Sequence, residues 1–247
     1  MSVLLEACID SVADGLAAER AGAGRVELCA NLLEGGTTPS IGLVRMVTAH
    51  LEIPVFAIIR PRGGDCCYSA EDIEVMLKDI EAAKAAGVYG IVSGALHPNG
   101  VVDEDGTEAL LEAAAPLPFT FHRAFDQVRD HDEALDTCMA LGVSRILTSG
   151  GMPTALDAAD TLKRLRQRAG SRLVIMAGGG IRASNIRAVI ERTGVREVHL
   201  GPRRVQPSTM RVKAGTARIS KSGRDEWDSE CLDGDALAAA VQAAHAS

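Results

Sequence analysis

The strongest constraint on this chain is an alternation that repeats eight times. Short β-rich runs occur at 4–9, 25–30, 54–60, 90–96, 118–123, 145–149, 173–177 and 197–201. Between them lie Ala/Leu-rich stretches of helical pattern near 11–21, 40–50, 69–86, 105–115, 132–141, 154–169 and 184–193, with a last one near 233–245. Ser11, Ser40, Ser69 and Thr154 stand where a helix N-cap is expected, because a hydroxyl there accepts one of the first free backbone N–H groups. Ala21-Gly22, Ala86-Gly87 and Leu141-Gly142 fit helix ends that turn into the next strand. Strand followed by helix, eight times over, predicts a parallel (β/α)8 barrel of the TIM type. An open doubly wound sheet is the alternative, but it carries fewer such even units, and no G-x-G-x-x-G follows the first run.

At 247 residues the chain suits one barrel domain spanning 1–247, and no linker-like segment divides it. The region 202–232 is irregular, polar and long for a connection, which predicts a lid or an appended segment. The apolar runs are too short to span a membrane, and the N-terminus has no basic region leading into a signal-type core, so the expected location is cytoplasmic. A formal charge of −7 argues against nucleic acid as a partner. The clusters Arg60/Arg62 and Arg203/Arg204 remain local sites where a small anion could bind. Six cysteines without a C-x-x-C pair read as free thiols.

In a barrel, alternate residues of each strand point inward, and function collects at the strands' C-terminal ends. Helices cover the outer faces, so polar residues within strands are expected to face in. This parity places Glu6 and Cys8 of the first strand inside, with Glu27 and Cys29 of the second. Strand three ends inward at Arg60, strand five at His122, strand six near Thr148 and strand eight at His199. Buried charges are costly unless paired, so a Glu–Arg–His network is implied, in which Arg60 could neutralise Glu6 or Glu27.

The phrase F-T-F-H-R-A-F-D at 119–126 uses three of the four phenylalanines. Phe119 and Phe121 take the outward face, His122 turns inward at the strand's end, and Arg123 turns into the loop above. Taken singly, a strand histidine is more often structural than catalytic. Grouped at strand ends, these residues imply a functional cavity. Glu27, His122 and His199 are its candidate acid/base groups, with Glu27 as a possible partner of His122. Arg60, Arg62 and Arg123 would bind a carboxylate or phosphate. Ser149, in the S-G-G turn at 149–151, and Gly178, Gly179 and Gly180, before an expected helix start at Ser184, would offer backbone N–H groups to an anion. Glycines also serve tight turns, so that cradle has a purely structural alternative.

Cys8 and Cys29 stand at matching heights near the ends of adjacent strands, whose backbones lie about 4.8 Å apart. Two inward thiols at that spacing can ligate a soft ion such as Cu(I). They can equally fill the barrel as small hydrophobes. The vicinal Cys66 and Cys67 form a poor chelate.

In order, these pieces resemble the CutC family. The matching phrases are R-V-E-L-C-A at 25–30, E-G-G-T-T-P-S at 34–40, I-I-R-P-R-G-G-D at 58–65, F-H-R-A-F-D at 121–126, L-T-S-G-G at 147–151, I-M-A-G-G-G-I-R at 175–182 and E-V-H at 197–199. The resemblance runs over about the whole chain and implies a TIM-type barrel, a cytoplasmic homo-oligomer and a part in copper homeostasis. It also implies Cu(I) ligation by Cys8 and Cys29. The sequence departs from the family pattern at Leu200-Gly201-Pro202-Arg203-Arg204 and at Met210-Arg211-Val212-Lys213-Ala214.

Two functions follow as expectations. One is a Cu(I)-binding protein. The other is an enzyme on a small anionic substrate, with His122 as acid or base; a lyase, an isomerase or a hydrolase would all fit. A purely structural barrel suits the charged interior poorly, and no carboxylate cluster is spaced for paired metal ions.

Overall fold

The eight β-runs are the staves of a closed parallel barrel, in sequence order around the ring. The computed structural model describes residues 3–212, 225 and 227–246. The barrel strands are β1 Leu4–Ile9, β2 Arg25–Leu28, β3 Val55–Ile58, β4 Gly90–Ser93, β5 Phe119–Phe121, β6 Arg145–Thr148, β7 Val174–Gly178 and β8 Glu197–Leu200. β8 pairs back onto β1, with Glu6 opposite His199, and this closes the ring. The helices are α1 Val12–Arg20, α2 Ile41–His50, α3 Ala70–Ala85, α4 Glu104–Ala114, α5 His131–Ala140, α6 Ala159–Ala169, α7 Ile186–Thr193 and α8 Gly234–His245.

The caps explain where most helices begin. Ser11 accepts the Asp14 N–H and Ser40 the Leu43 N–H. Ser69 exchanges hydrogen bonds with Asp72 in a full capping box. Gly22 and Gly87, at φ 89° and 84°, take the left-handed turn that ends a helix, which a side chain would oppose.

Two hydrophobic clusters separate the faces of the sheet. The large one lies between strands and helices and contains Phe119 and Phe121, as parity predicts. The small one fills the barrel, with Cys29, Phe56, Ile58 and Val92 packed against Cys8. So few apolar side chains leave the rest of the interior to charged groups.

Four expectations need correction. The strands are shorter than their β-rich runs, so Cys29, Arg60 and His122 stand just past strand ends rather than within them. The helix expected over 154–169 starts only at Ala159, capped by Ala158, because residues 150–157 fold over the barrel's rim. There the Ala155 N–H bonds Gly179 O, and Thr154 closes a local turn with Asp157. Similarly, α7 begins at Ile186, with Asn185 as its cap, rather than at Ser184. In β6 the inward positions are Arg145, Leu147 and Ser149, while Thr148 turns the other way and its hydroxyl donates to Asp126.

The region 202–232 is not wholly irregular. It contains an antiparallel pair, β9 Arg203–Gln206 and β10 Ser229–Leu232, and it continues directly into α8. Arg203 pins this pair to α1 and its preceding turn through Asp14 at 2.7 Å and Asp10 at 2.8 Å. Lys213 and Ala214, in the segment that departs from the family pattern, lie outside the described residues. No helix among the described residues is long and apolar enough to cross a membrane.

Candidate functional site

A line of charged groups climbs the barrel interior from its floor to its mouth. At the floor, Glu197 accepts from Arg145 at 2.6 Å and from Arg25 at 2.6 Å. Arg25 also pairs with Glu6, whose carboxylate is wholly buried. Both guanidinium groups lie over the Phe56 ring, 4.8 and 5.5 Å from its centre, which adds cation–π attraction. Above this, His199 Nδ1 meets Glu6 at 2.8 Å, and its Nε2 lies 3.8 Å from Glu27. The Cys29 sulfur lies 3.4 Å from the Glu27 carboxyl and 3.7 Å from the sulfur of Cys8. Thiols and carboxylate form one group, with ligand atoms of Cys8, Glu27 and Cys29 all within 4.8 Å of one another.

The electrostatics follow from this order. Burial alone would raise Glu6, but the His199 hydrogen bond and the Arg25 charge hold its carboxyl down to about 2. Burial pushes Glu27 up to about 8, outweighing the attraction of His199. The Cys29 hydrogen bond brings Cys8 down to about 5 against its own burial, with His199 helping. Cys29 moves the opposite way, well above an ordinary thiol, because it donates to Cys8 and is buried. His199 overcomes burial and rises well above its usual value through Glu27, Cys8 and Glu6. The column therefore sets Arg25, Arg145 and His199 against Glu6 and Glu197, and its surroundings favour the thiolate at Cys8 over that at Cys29.

The opposite side of the mouth is built differently. Arg60 is buried and gives its hydrogen bonds to carbonyls, those of Glu34 and Gly36 at 2.8 Å and Gly64 at 2.7 Å. It ties the loops after β2 and β3 together and does not neutralise Glu6 or Glu27. The cation that does so for Glu6 is Arg25. His122 accepts the Ala124 N–H at its Nδ1, and its buried Nε2 has no partner among the described residues. Burial, with the Arg60 charge, pushes this imidazole down to about 3. Glu27 turns to His199 and Cys29 rather than to His122.

The remaining expected anion binders divide. Arg62 lies away from the cavity, pairing with Asp65 at 3.1 Å and stacking over Tyr68. Arg123 is on the rim, held by Asp126 at 2.7 Å and by Ser149 at 3.0 Å. Asp126 also accepts from Thr148, the N–H groups of Ser149 and Gly151, and the Ser149 hydroxyl, so it fixes the S-G-G turn. Gly178 ends β7, and Gly179 and Gly180 line the rim above it. Gly179 sits at φ 98°, where a Cβ would press on Ser149 at 3.0 Å. Together these elements enclose a cavity of about 1540 Å³.

Parity applied at the strand starts would have found Arg25 and Arg145, the two cations it missed. Each lies two positions before an inward residue, but attention to strand ends passes over the floor.

Comparison with known proteins places this geometry. The sequence model of the CutC family matches residues 3–203. The chain belongs to the CutC family. Among CutC relatives, a "copper homeostasis protein cutC homolog" of Mus musculus is 45% identical over 219 residues, covering 89% of this chain and 80% of that protein. A CutC family protein of Photobacterium profundum is 42% identical, covering 98% of this chain and 99% of its own length. The crystal structure of the putative copper homeostasis protein CutC from Streptococcus agalactiae superposes with a TM-score of 0.77 at 36% identity, over 80% of this chain and 97% of that one. The CutC match ends at Arg203, where β9 begins.

Proposed function

We propose that this CutC protein binds Cu(I) through Cys8 and Cys29 and thereby takes part in copper homeostasis. The observation that carries the reading is the pair of sulfurs 3.7 Å apart at the mouth. Two metal–thiolate bonds of ~2.3 Å can bridge sulfurs up to ~4.6 Å apart, so the pair needs no backbone movement to hold one ion. Thiolate donors select a soft ion, and Glu27, kept protonated near neutral pH by burial, leaves the sulfurs as the principal ligands. The Cys29 contact and His199 lower the Cys8 thiol, which favours the thiolate, the form that binds metal.

Charge is compatible with a monovalent ion: Cu(I) entering as Cys29 releases its proton exchanges one positive charge for another. A divalent ion would need a second proton released, from Glu27. All six cysteines are free thiols, which suits a reducing compartment, and a cytoplasmic location belongs to the same reading. The names of the relatives, which refer to copper homeostasis, support it as well.

Anaerobic titration with Cu(I) against a chromophoric Cu(I) chelator tests the proposal. The expected result is one ion per chain, lost in the Cys8→Ser/Cys29→Ser double variant. Unchanged affinity in that variant would sink the reading.

A further inference from the structure

We propose that the β3–β5 side of the mouth binds the carboxylate end of a small monoanionic molecule, with Arg60 as its counter-charge and the His122 Nε2–H as a donor to it. The site does not rest on the copper reading, since none of its groups touches Cys8 or Cys29. Two buried groups with unmet needs carry the inference.

The first is Arg60. Among the described residues, the buried arginines are Arg25, Arg60 and Arg145. Arg25 and Arg145 each lie on a carboxylate. Arg60 makes its hydrogen bonds to three carbonyl oxygens, and among the described residues no carboxylate pairs with it. Carbonyl dipoles orient a guanidinium but do not cancel its charge, and a buried net charge calls for a counter-ion.

The second is His122. Its ring is 5% exposed and lines the same cavity as Arg60. Nδ1 accepts the Ala124 N–H, so the neutral ring carries its proton on Nε2. That Nε2 is buried with no partner among the described residues, and a buried donor left unmet is costly unless something binds it. Gly94, just past the end of β4, packs against this ring: a Cβ there would come within 3.0 Å of the His122 Nδ1 and of the Phe121 ring.

One cation and one neutral donor match a single negative charge. A phosphate dianion would need a second cation, and Arg123, which follows His122 in the chain, is engaged by Asp126 and Ser149. The cavity is far larger than one ion requires, so the carboxylate is read as the anchor of a larger molecule whose remainder reaches toward the mouth.

The test is calorimetric titration of the full chain with sodium acetate and, in parallel, with inorganic phosphate. Acetate has four non-hydrogen atoms, so binding in the millimolar range is expected. His122→Phe, which keeps the ring's bulk and removes the donor, should weaken acetate about tenfold or more. It should leave Cu(I) titration unchanged. Acetate should also move the ¹⁵N resonance of the His122 Nε2 in the unaltered protein, a readout that survives even if the variant folds poorly. No acetate binding, an unmoved Nε2 resonance, or equal affinity in His122→Phe would each overturn the proposal. Tighter binding of phosphate than of acetate, indifferent to His122→Phe, would overturn it too and move the anion site to the Gly179–Gly180 rim.

Discussion

Arg25 lies directly on Glu6 at the barrel floor, with 5% of the arginine side chain and none of the glutamate side chain open to water. That contact anchors everything above it, because Glu6 in turn orients His199, and His199 faces Glu27. Breaking such a pair from one side costs far more than the pair contributes net, since the surviving charge stays buried. Arg25→Met removes the cation shared by Glu6 and Glu197 and should destabilise the fold by about 3–5 kcal/mol. Urea unfolding at pH 7 measures this, and a loss under ~1 kcal/mol would show that the floor network is not holding the barrel.

Stability should fall on acidification, and the sign follows from the direction of each shift. Glu6, Glu197 and Asp126 have folded values below their ordinary ones, so their stabilisation is present above the ordinary carboxyl range and is lost as pH falls through the folded values. For Glu6 that window runs from 4.5 down to about 2. His122 is depressed from 6.5 to about 3, so the fold loses stability across that span, because the unfolded chain takes up the proton first. His199 is raised, so its contribution is intact at acid pH and is lost only as pH rises through its folded value. Between neutral pH and 4.5 the rise from Glu27, lifted to about 8, opposes the losses from His122 and Cys8, so urea midpoints should decline clearly only from 4.5 to about 3. Glu6→Gln should flatten the part of the decline below 4.5. A midpoint that rises as pH falls from 4.5 to about 3 would contradict these assignments.

Much of this was legible because strands impose a period of two. Once 25–30 is read as a covered strand, Glu27 and Cys29 must share a side, and the structure brings them within 3.4 Å. The partners of Arg60 were not legible. They are carbonyl oxygens of loops, whose directions depend on how the turns at Glu34–Gly36 and Gly63–Gly64 fold, and no side-chain pattern encodes that. The pairing of β9 with β10 was hidden for another reason. Twenty-two residues separate Gln206 from Ser229, so neither strand carries a hairpin signal beside it. The F-H-R-A-F-D phrase divides in the same way: strand parity gave the inward His122, whereas the role of Asp126 in the S-G-G turn depends on loop geometry.

Asp126→Asn tests that last role. Its two carboxylate oxygens accept from Thr148, Ser149, Gly151 and Arg123, and an amide of the same shape can serve only part of that set. Hydrogen bonds to a charged group contribute about 1.5–3 kcal/mol each, so a loss near 2 kcal/mol is expected. Amide hydrogen exchange should quicken at Ser149 and Gly151 while the β1–β2 strands keep their protection. Uniform quickening across the barrel would mean that Asp126 supports the whole fold rather than this turn.

Gly90 and Phe56 make the sharpest packing test. They are paired across β3 and β4, and the Phe56 ring lies against the inward face of Gly90. A Cβ on residue 90 would fall 2.4 Å from the ring, well inside contact distance. The ring cannot swing away freely, because Arg25 and Arg145 lie over it and Phe56 is 2% exposed. Gly90→Ala should therefore destabilise the barrel by about 1–3 kcal/mol through overpacking. Phe56→Leu alone should also destabilise it, by opening space beneath the two arginines. In the double variant the new methyl group occupies part of that space, so the losses should fall short of additive by at least ~0.5 kcal/mol. Strict additivity would mean that the two residues do not compete for the same volume and that the barrel floor is packed differently from this structure.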